Sequence, residues 1–544
     1  MEHCGASGTV GETEPLLQSP SHLELSATAG TEDGAESATR NPRTVVDDVP
    51  DANRQLGLLS AISLIFNGVM GTGVFAGTSI ILNSSGSVGM TFVMWILGAL
   101  VAATGTAVYI ELGTGLPRSG GDKVYLEYMF RRPAFMTSCT YALCAILSGW
   151  MAPPSVAFGE YAMNALAYQP TPTNVRIAAF LCSTFCLVVH GAFLNFGLRL
   201  QNTLGAFTSL VLMLMACSGL LSLAGVPGFS VGDEYDQPNN FTWITFWEGS
   251  NFGANAFVTG MYNVIWSYIG YSNANNALSE VRDPIRTIKR AAPLAMFFVT
   301  FVYLAVNVAY FAVVSKADML GGGTIPAALF FRNLYGPMTE RILSLIIALS
   351  ILGNILAGLF SQGRLVQELG REGVLPCSSF FASNKPFNAP FAGLFTQYSV
   401  SMLLMTFSPP GDAYLFMVNC LSYPFALFKL LTSGGLLLLY TRPFKSYNWN
   451  PPFRAYKYAV VFFFLSNVFL AVVPVIPPSA GFEPYEHLSY YSHVVVGLSV
   501  GLLGVAYWFI IFNWIPGRNG YKLKQVTVTQ DGVTRNVFRA VPVA

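Results

Sequence analysis

NGVMGTGVF, residues 67–75, interrupts a long apolar run with glycines at 68, 71 and 73. Inside a helix each glycine costs about 1 kcal/mol relative to alanine. In hydrocarbon a broken backbone also strands N–H and C=O groups that no water can satisfy. A second run is interrupted in the same way. FVTGMYNVIWSYIGYSNANNALSE, residues 257–280, passes through Ser267-Tyr268-Ile269-Gly270-Tyr271 into Asn273, Asn275 and Asn276. A lipid-facing helix would not carry that polar stretch.

Both runs lie in a chain composed for a bilayer. Its 544 residues are 53% hydrophobic and 10% charged, with mean hydropathy +0.50. Soluble domains average about 25% charged residues. A net charge of +1 points to neither nucleic acid nor an acidic polymer as a partner. Residues 1–54 are polar and acidic, read as a disordered tail, and contain no apolar core of a cleavable signal.

From residue 55 to 515, apolar runs long enough to cross a membrane (about 20 residues each) recur with short breaks. They predict an all-α membrane protein of twelve spans, at 56–82, 88–114, 135–166, 174–195, 200–224, 253–278, 291–314, 340–363, 390–408, 413–440, 457–476 and 490–514. Spans within 56–224 and 253–440 form two successive five-span halves; two more fill 457–514, and 516–544 reads as a second tail. With a cytoplasmic N-tail, Arg118, Lys123, Arg131, Arg132, Arg282, Arg286, Lys289 and Arg290 all fall inside, as do most other cations. Only Arg176, Lys316, Arg332 and Arg341 fall on the outer side or at outer edges, so both termini are expected in the cytoplasm. None of the eight cysteines falls in an outer segment, and no disulfide framework is expected.

Spans one and six hold corresponding places in the two halves. Interrupted helices at matching positions point to a transporter binding site at the midplane. The free N–H groups and positive dipole end of one half-helix suit a carboxylate, and free carbonyls suit an ammonium. A zwitterionic α-amino acid carries both. Close helix packing by small residues is the competing explanation for single glycines; the paired clusters favour a site.

GVMGTGVF resembles the first-helix motif of the amino acid–polyamine–organocation superfamily. ELGTGLPRSGGDKVYLEYMF, 111–130, resembles the turn after that family's second helix; ALSEVRDPIRTIKRA and GRLVQELGREGVLP resemble the ends of its sixth and eighth. The likeness covers about 55–515 and is strongest to the L-type branch, where NVIWSYIGYSNANNALSEV resembles fungal methionine permeases. It implies a LeuT-type fold of two inverted five-helix repeats plus two helices. It also implies import of a neutral L-amino acid, methionine foremost, by proton symport with alternating access. A broader neutral amino acid exchanger and a permease-like sensor with little flux are the alternatives.

By that resemblance the Thr72 and Gly73 N–H groups bind the substrate carboxylate, and Gly71 permits the turn. The Val69 carbonyl, with carbonyls near Trp266 and Ser267, takes the ammonium. Trp266 holds the place of an aromatic gate, while Tyr268 and Ile269 line the pocket. Ser148, Met151, Asn354 and Gly358 shape its side-chain end. Animal L-type relatives tie to a glycoprotein through a cysteine after the third helix. The corresponding loop here, YQPTPTNV, has none, so no disulfide-linked heavy chain is expected.

Ionisable groups inside spans are functional suspects. Glu160, His190 and Lys429 are the gating or coupling candidates, although a packing histidine explains His190 as well. Glu111, at the end of span two beside Arg118, reads as structural. Arg282, Asp283, Arg118, Glu368 and Arg371 are expected to form an inner-face network. No nucleotide motif, cofactor motif, metal-ligand cluster or catalytic constellation is present, so an enzyme is not indicated. Glu12 before Leu16-Leu17 has the spacing that trafficking adaptors bind, so endosomal or vacuolar membranes stand beside the plasma membrane as locations. Asn240-Phe241-Thr242 is a glycosylation sequon.

Overall fold

The computed structural model describes residues 57–118, 120–272, 275, 278, 281–321, 325–478, 483–530 and 533–542. The N-tail with Glu12, Leu16 and Leu17 lies outside the described residues, as do Asn273 and Asn276. Among the described residues, eight helices are long and apolar enough to cross a membrane unaided: Val88–Gly115, Pro172–Ala192, Leu194–Leu223, Pro284–Val313, Pro337–Arg371, Ala413–Leu439, Lys457–Val475 and Ser492–Asn519. Phe391–Phe407 is a shorter apolar helix at the ninth position. The other three spans are divided. The first comprises Leu58–Val69 and Thr72–Ser85, the third Met136–Ile146 and Ala152–Ala165, and the sixth begins as Ala254–Tyr268.

Local sequence explains several of these boundaries. Ser87 opens the second span by accepting from the Met90 N–H at 3.1 Å, and Thr171 followed by Pro172 opens the fourth. The packing follows the inverted repeat. The first half of span one packs on span seven, and span six packs on span two. Each half's first helix thus rests on the other half's second helix, and the two third helices, spans three and eight, pack together.

Glu111 is fully buried and structural, as expected. Its carboxylate accepts from the Tyr440 hydroxyl at 2.5 Å and from the Trp449 indole and Ala455 N–H at 2.9 Å each. It pins the end of span two to the segment after span ten. On the same face, Lys123 of the helix Gly121–Met129 pairs with Glu127 at 2.8 Å and with Glu372, just past span eight. This face thus carries a partly buried pair, Lys123–Glu372, that the expected network did not include. Glu368 and Arg371 do pair, at 2.5 Å, on the flank.

The C-terminal segment is folded. Strands β1 (Tyr521–Gln530) and β2 (Val533–Pro542) form an antiparallel hairpin in the register Tyr521↔Pro542. Phe538 meets the rings of Phe135 and Phe512 at 4.9 and 5.0 Å, and Gln525 donates to the Glu372 carbonyl at 3.2 Å. The hairpin thus lies against the face that carries Lys123.

On the opposite face, the sequon asparagine is buried at 6% exposure. Its Nδ2 donates to the carbonyls of Phe311 and Val314 at 2.8 and 2.7 Å. Both amide hydrogens are used, so a glycan on Asn240 is incompatible with this fold. Peptide mapping of the purified protein is expected to find Asn240 unmodified; a glycan there would mean that this loop folds otherwise.

Candidate functional site

The first span stops at Val69. Met70 and Gly71 are extended, and the helix restarts at Thr72 with no side chain capping it. The opening N–H groups of the second half-helix, among them Thr72 and Gly73, therefore lack intrahelical acceptors. In span six the helix ends at Tyr268, Ile269 is extended, and Gly270 adopts φ +121°. That left-handed conformation is open to glycine and strained for residues with a Cβ.

The two breaks abut. A Cβ on Gly270 would lie 2.7 Å from the Gly68 carbonyl oxygen, and one on Gly73 would run into the side chain and backbone of Ser267. The Tyr303 hydroxyl, from span seven, lies 2.8 Å from the Val69 carbonyl and 2.9 Å from the Ser267 carbonyl, sharing its proton between them. Tyr303 is fully buried and bridges both breaks. The sequence reading missed it, because a lone tyrosine in an apolar helix carries no local sign of such a role. Val69 was assigned to a substrate ammonium. Its carbonyl keeps a second lone pair for that task, since a carbonyl oxygen has two.

Val69, Gly71, Thr72, Gly73 and Ser267 are thus brought together. Ser267 presents backbone to the site, for its hydroxyl donates to the Asn263 carbonyl at 2.9 Å. Tyr268 is placed differently from the expected pocket lining. Its ring is buried against Trp95 and Tyr303, with centroids at 6.0 and 5.3 Å, and so supports Tyr303 from behind. Ile269 is partly exposed at the break. The far half of span one is held by the Tyr161 hydroxyl on the Phe75 carbonyl (2.7 Å) and by Tyr310 on the Val74 carbonyl (3.2 Å).

Trp266, the gate candidate, stacks on Trp150 at 5.5 Å and 17°. Trp150 in turn meets Phe425 of span ten at 5.1 Å. It sits in the break of span three, where Gly149 adopts φ +58°, beside Ser148 and the buried Met151. This third break was not anticipated. Its only signal is Gly149 followed by Pro153-Pro154. In span eight, Asn354 lies beside the first break, its Nδ2 2.7 Å from where a Gly71 Cβ would stand, and a Cβ on Gly358 would meet open space.

The three ionisable candidates separate. His190 is fully buried, with Nε2 3.0 Å from the Leu356 carbonyl and its ring 5.6 Å from Phe360. That geometry joins spans four and eight by packing. Glu160, two turns past Met151, is half-buried, and among the described residues it has no ion-pair partner. Lys429 is buried, with its ammonium 5.1 Å above the Tyr271 ring, just past the sixth-span break.

Residues 56–500 match the family described as amino acid permease. The high-affinity methionine permease of Saccharomyces cerevisiae is 38% identical over 535 residues, covering 98% of this chain and 91% of that protein. The low-affinity methionine permease of the same yeast is 27% identical over 499 residues, 89% of this chain and 87% of its own length. The b(0,+)-type amino acid transporter 1 of Mus musculus is 27% identical over 461 residues, covering 84% and 89%.

Two substitutions test the site's construction. Tyr303→Phe removes hydrogen bonds worth about 0.5–1.5 kcal/mol each, and is expected to raise the KM for uptake several-fold at unchanged surface level. Gly73→Ala places a methyl group in the space held by Ser267 and is expected to abolish uptake of a protein that still reaches the membrane.

Proposed function

The chain belongs to the amino acid permease family, and on that premise we propose that it is a secondary transporter importing a neutral L-amino acid, methionine foremost, by proton symport. The observation that carries this reading is the junction of the two breaks. Uncapped N–H groups at Thr72 and Gly73 face a carboxylate's needs, while the Val69 and Ser267 carbonyls beside them face an ammonium's. The backbone reads what all α-amino acids share, leaving the side-chain end to discriminate.

The 38% identity to a high-affinity methionine permease supports methionine as the substrate. The Trp150–Trp266 stack suits it, because aromatic faces and edges contact a polarisable thioether favourably by about 0.3–1.5 kcal/mol. Transport proceeds by alternating access, one helix bundle rocking about the paired breaks. Both termini lie in the cytoplasm, and the hairpin-bearing face is the inner one. The plasma membrane is the site of action, and Glu12, Leu16 and Leu17 recruit adaptors that move the protein to endosomes. The likeness to the mouse b(0,+)-type transporter favours, as a second reading, exchange over a broader range of amino acids.

Labelled methionine uptake in cells stripped of their own methionine permeases tests both readings. Saturable uptake that rises as external pH falls, and that unlabelled methionine blocks best, is the expected outcome. Uptake indifferent to pH but dependent on internal amino acids would select the exchanger. No flux from protein confirmed at the surface would overturn both.

A further inference from the structure

Just past the sixth-span break lies a second polar cluster, on the side that bears the hairpin. Asp122 opens the helix Gly121–Met129 and is 9% exposed. Its carboxylate accepts from the Tyr109 hydroxyl of span two and from Thr432 of span ten, the latter at 3.3 Å. Lys429, less than one turn before Thr432, faces Asp122 electrostatically while its ammonium rests over Tyr271. Among the described residues the two charges form no direct ion pair. Tyr271 meets the Tyr109 ring edge-on at 5.6 Å. Asn275, four residues further along, donates to the Tyr109 carbonyl and the Tyr125 hydroxyl at 2.8 Å each. The groups that face Asp122 are therefore Tyr109, Tyr125, Tyr141, Tyr271, Thr432 and Lys429. Lys123, its chain neighbour, is committed to Glu127 and Glu372.

A buried charge without a close partner is costly, and Lys429, inside span ten, is of the kind that usually serves transport. Tyr271 and Asn275, which contact this cluster, lie just past the sixth-span break. We propose that Asp122 carries the coupled proton and that Lys429 acts as its counter-charge, with Tyr271 as the seal between the pair and the substrate pocket. This rests on the proton-symport reading above.

While the seal is closed, burial holds the Asp122 carboxyl above the usual carboxylate range, against the opposing pull of Tyr109, Lys429 and Thr432. Loading comes before that closure, in the outward-facing state, when Tyr271 admits pocket water to the carboxyl. Opening inward draws Tyr271 and Asn275 away and hydrates the carboxyl. Hydration removes the burial penalty, so the proton passes to cytoplasmic water and leaves a carboxylate facing the Lys429 ammonium. The two neutralise each other for the return.

The test uses purified, full-length protein in proteoliposomes, with two readouts for labelled methionine: uptake driven by an inward proton gradient, and counterflow against internal methionine without a gradient. Asp122→Asn is expected to keep counterflow and lose stimulation by the gradient, its driven-to-undriven ratio falling to unity. Lys429→Met removes the cation that favours the carboxylate, so half-maximal stimulation is expected to move to higher pH. Lys429→Arg should keep the wild-type midpoint. A wild-type pH profile in Asp122→Asn, or a downward midpoint in Lys429→Met, overturns the assignment. Loss of counterflow from Asp122→Asn that still elutes as folded protein also overturns it, making Asp122 architectural. Absence of gradient stimulation in the wild type is a separate result, and it sinks the symport reading itself.

Discussion

Two broken helices meet in hydrocarbon here at one junction, which a single buried tyrosine bridges. An unsatisfied backbone group away from water costs several kcal/mol, and two breaks would strand many. Gly270 lies so close to the Gly68 carbonyl, and Gly73 so close to Ser267, that the broken segments form one junction instead of two defects. Tyr303 completes it by offering a single hydroxyl to a carbonyl from each break. What stays open is the uncapped start of the second half-helix at Thr72. In the proposed reading the substrate would use these open groups, so binding and architecture would draw on the same stretch of backbone.

The inverted repeat supplies the frame for that junction. Span seven, which carries Tyr303, packs on the first half of span one, and span two, which carries Trp95, packs on span six. Trp95, Tyr268 and Tyr303 meet as an aromatic triad behind the breaks, with centroids 5.3–6.0 Å apart. Rotating Tyr303 away would require moving two buried rings in a close-packed interior. Its hydroxyl is therefore held at a fixed place relative to both carbonyls. On the far side, Tyr161 and Tyr310 fix the second half of span one to spans three and seven. Three tyrosines from two helices thus anchor one interrupted span.

The breaks at Met70-Gly71 and Ile269-Gly270 were legible because glycine clusters in apolar runs have few other uses. The third break, around Gly149, was not. A single glycine before two prolines is also what an ordinary helix start looks like, and the run around it stays apolar. Tyr303 was invisible for a different reason. Its partners lie 234 and 36 residues away, and nothing in the local pattern records them. Tyr268 was assigned to the pocket by its neighbours in the chain, but the end of the helix turns it toward Trp95. In the C-terminal segment, YKLKQVTVTQ and VTRNVFRAVP are rich in valine and threonine and flank Asp531-Gly532, a pair that tight hairpins favour. Reading that stretch by its polarity as a tail passed over the turn signal. The sequon shows the converse limit, since Asn-Phe-Thr specifies a modification signal and says nothing about whether the amide is already bonded.

Polar side chains around the junction are segregated by function and by side. Glu111 and Lys123 have close, complete sets of partners and hold loops to span ends. His190 has a backbone partner and packs two helices together. Glu160 and Lys429 stand apart. Neither closes an ion pair among the described residues; Glu160 follows the break in span three, and Lys429 lies past the middle of the continuous span ten, over the Tyr271 ring. A fully paired charge resists movement, since parting it leaves an uncompensated buried ion. An incompletely paired one loses less when its surroundings change, and it gains most from hydration. If the proposed opening occurs, groups of the second kind would keep its cost low, whereas the fully paired groups hold the ends of the spans.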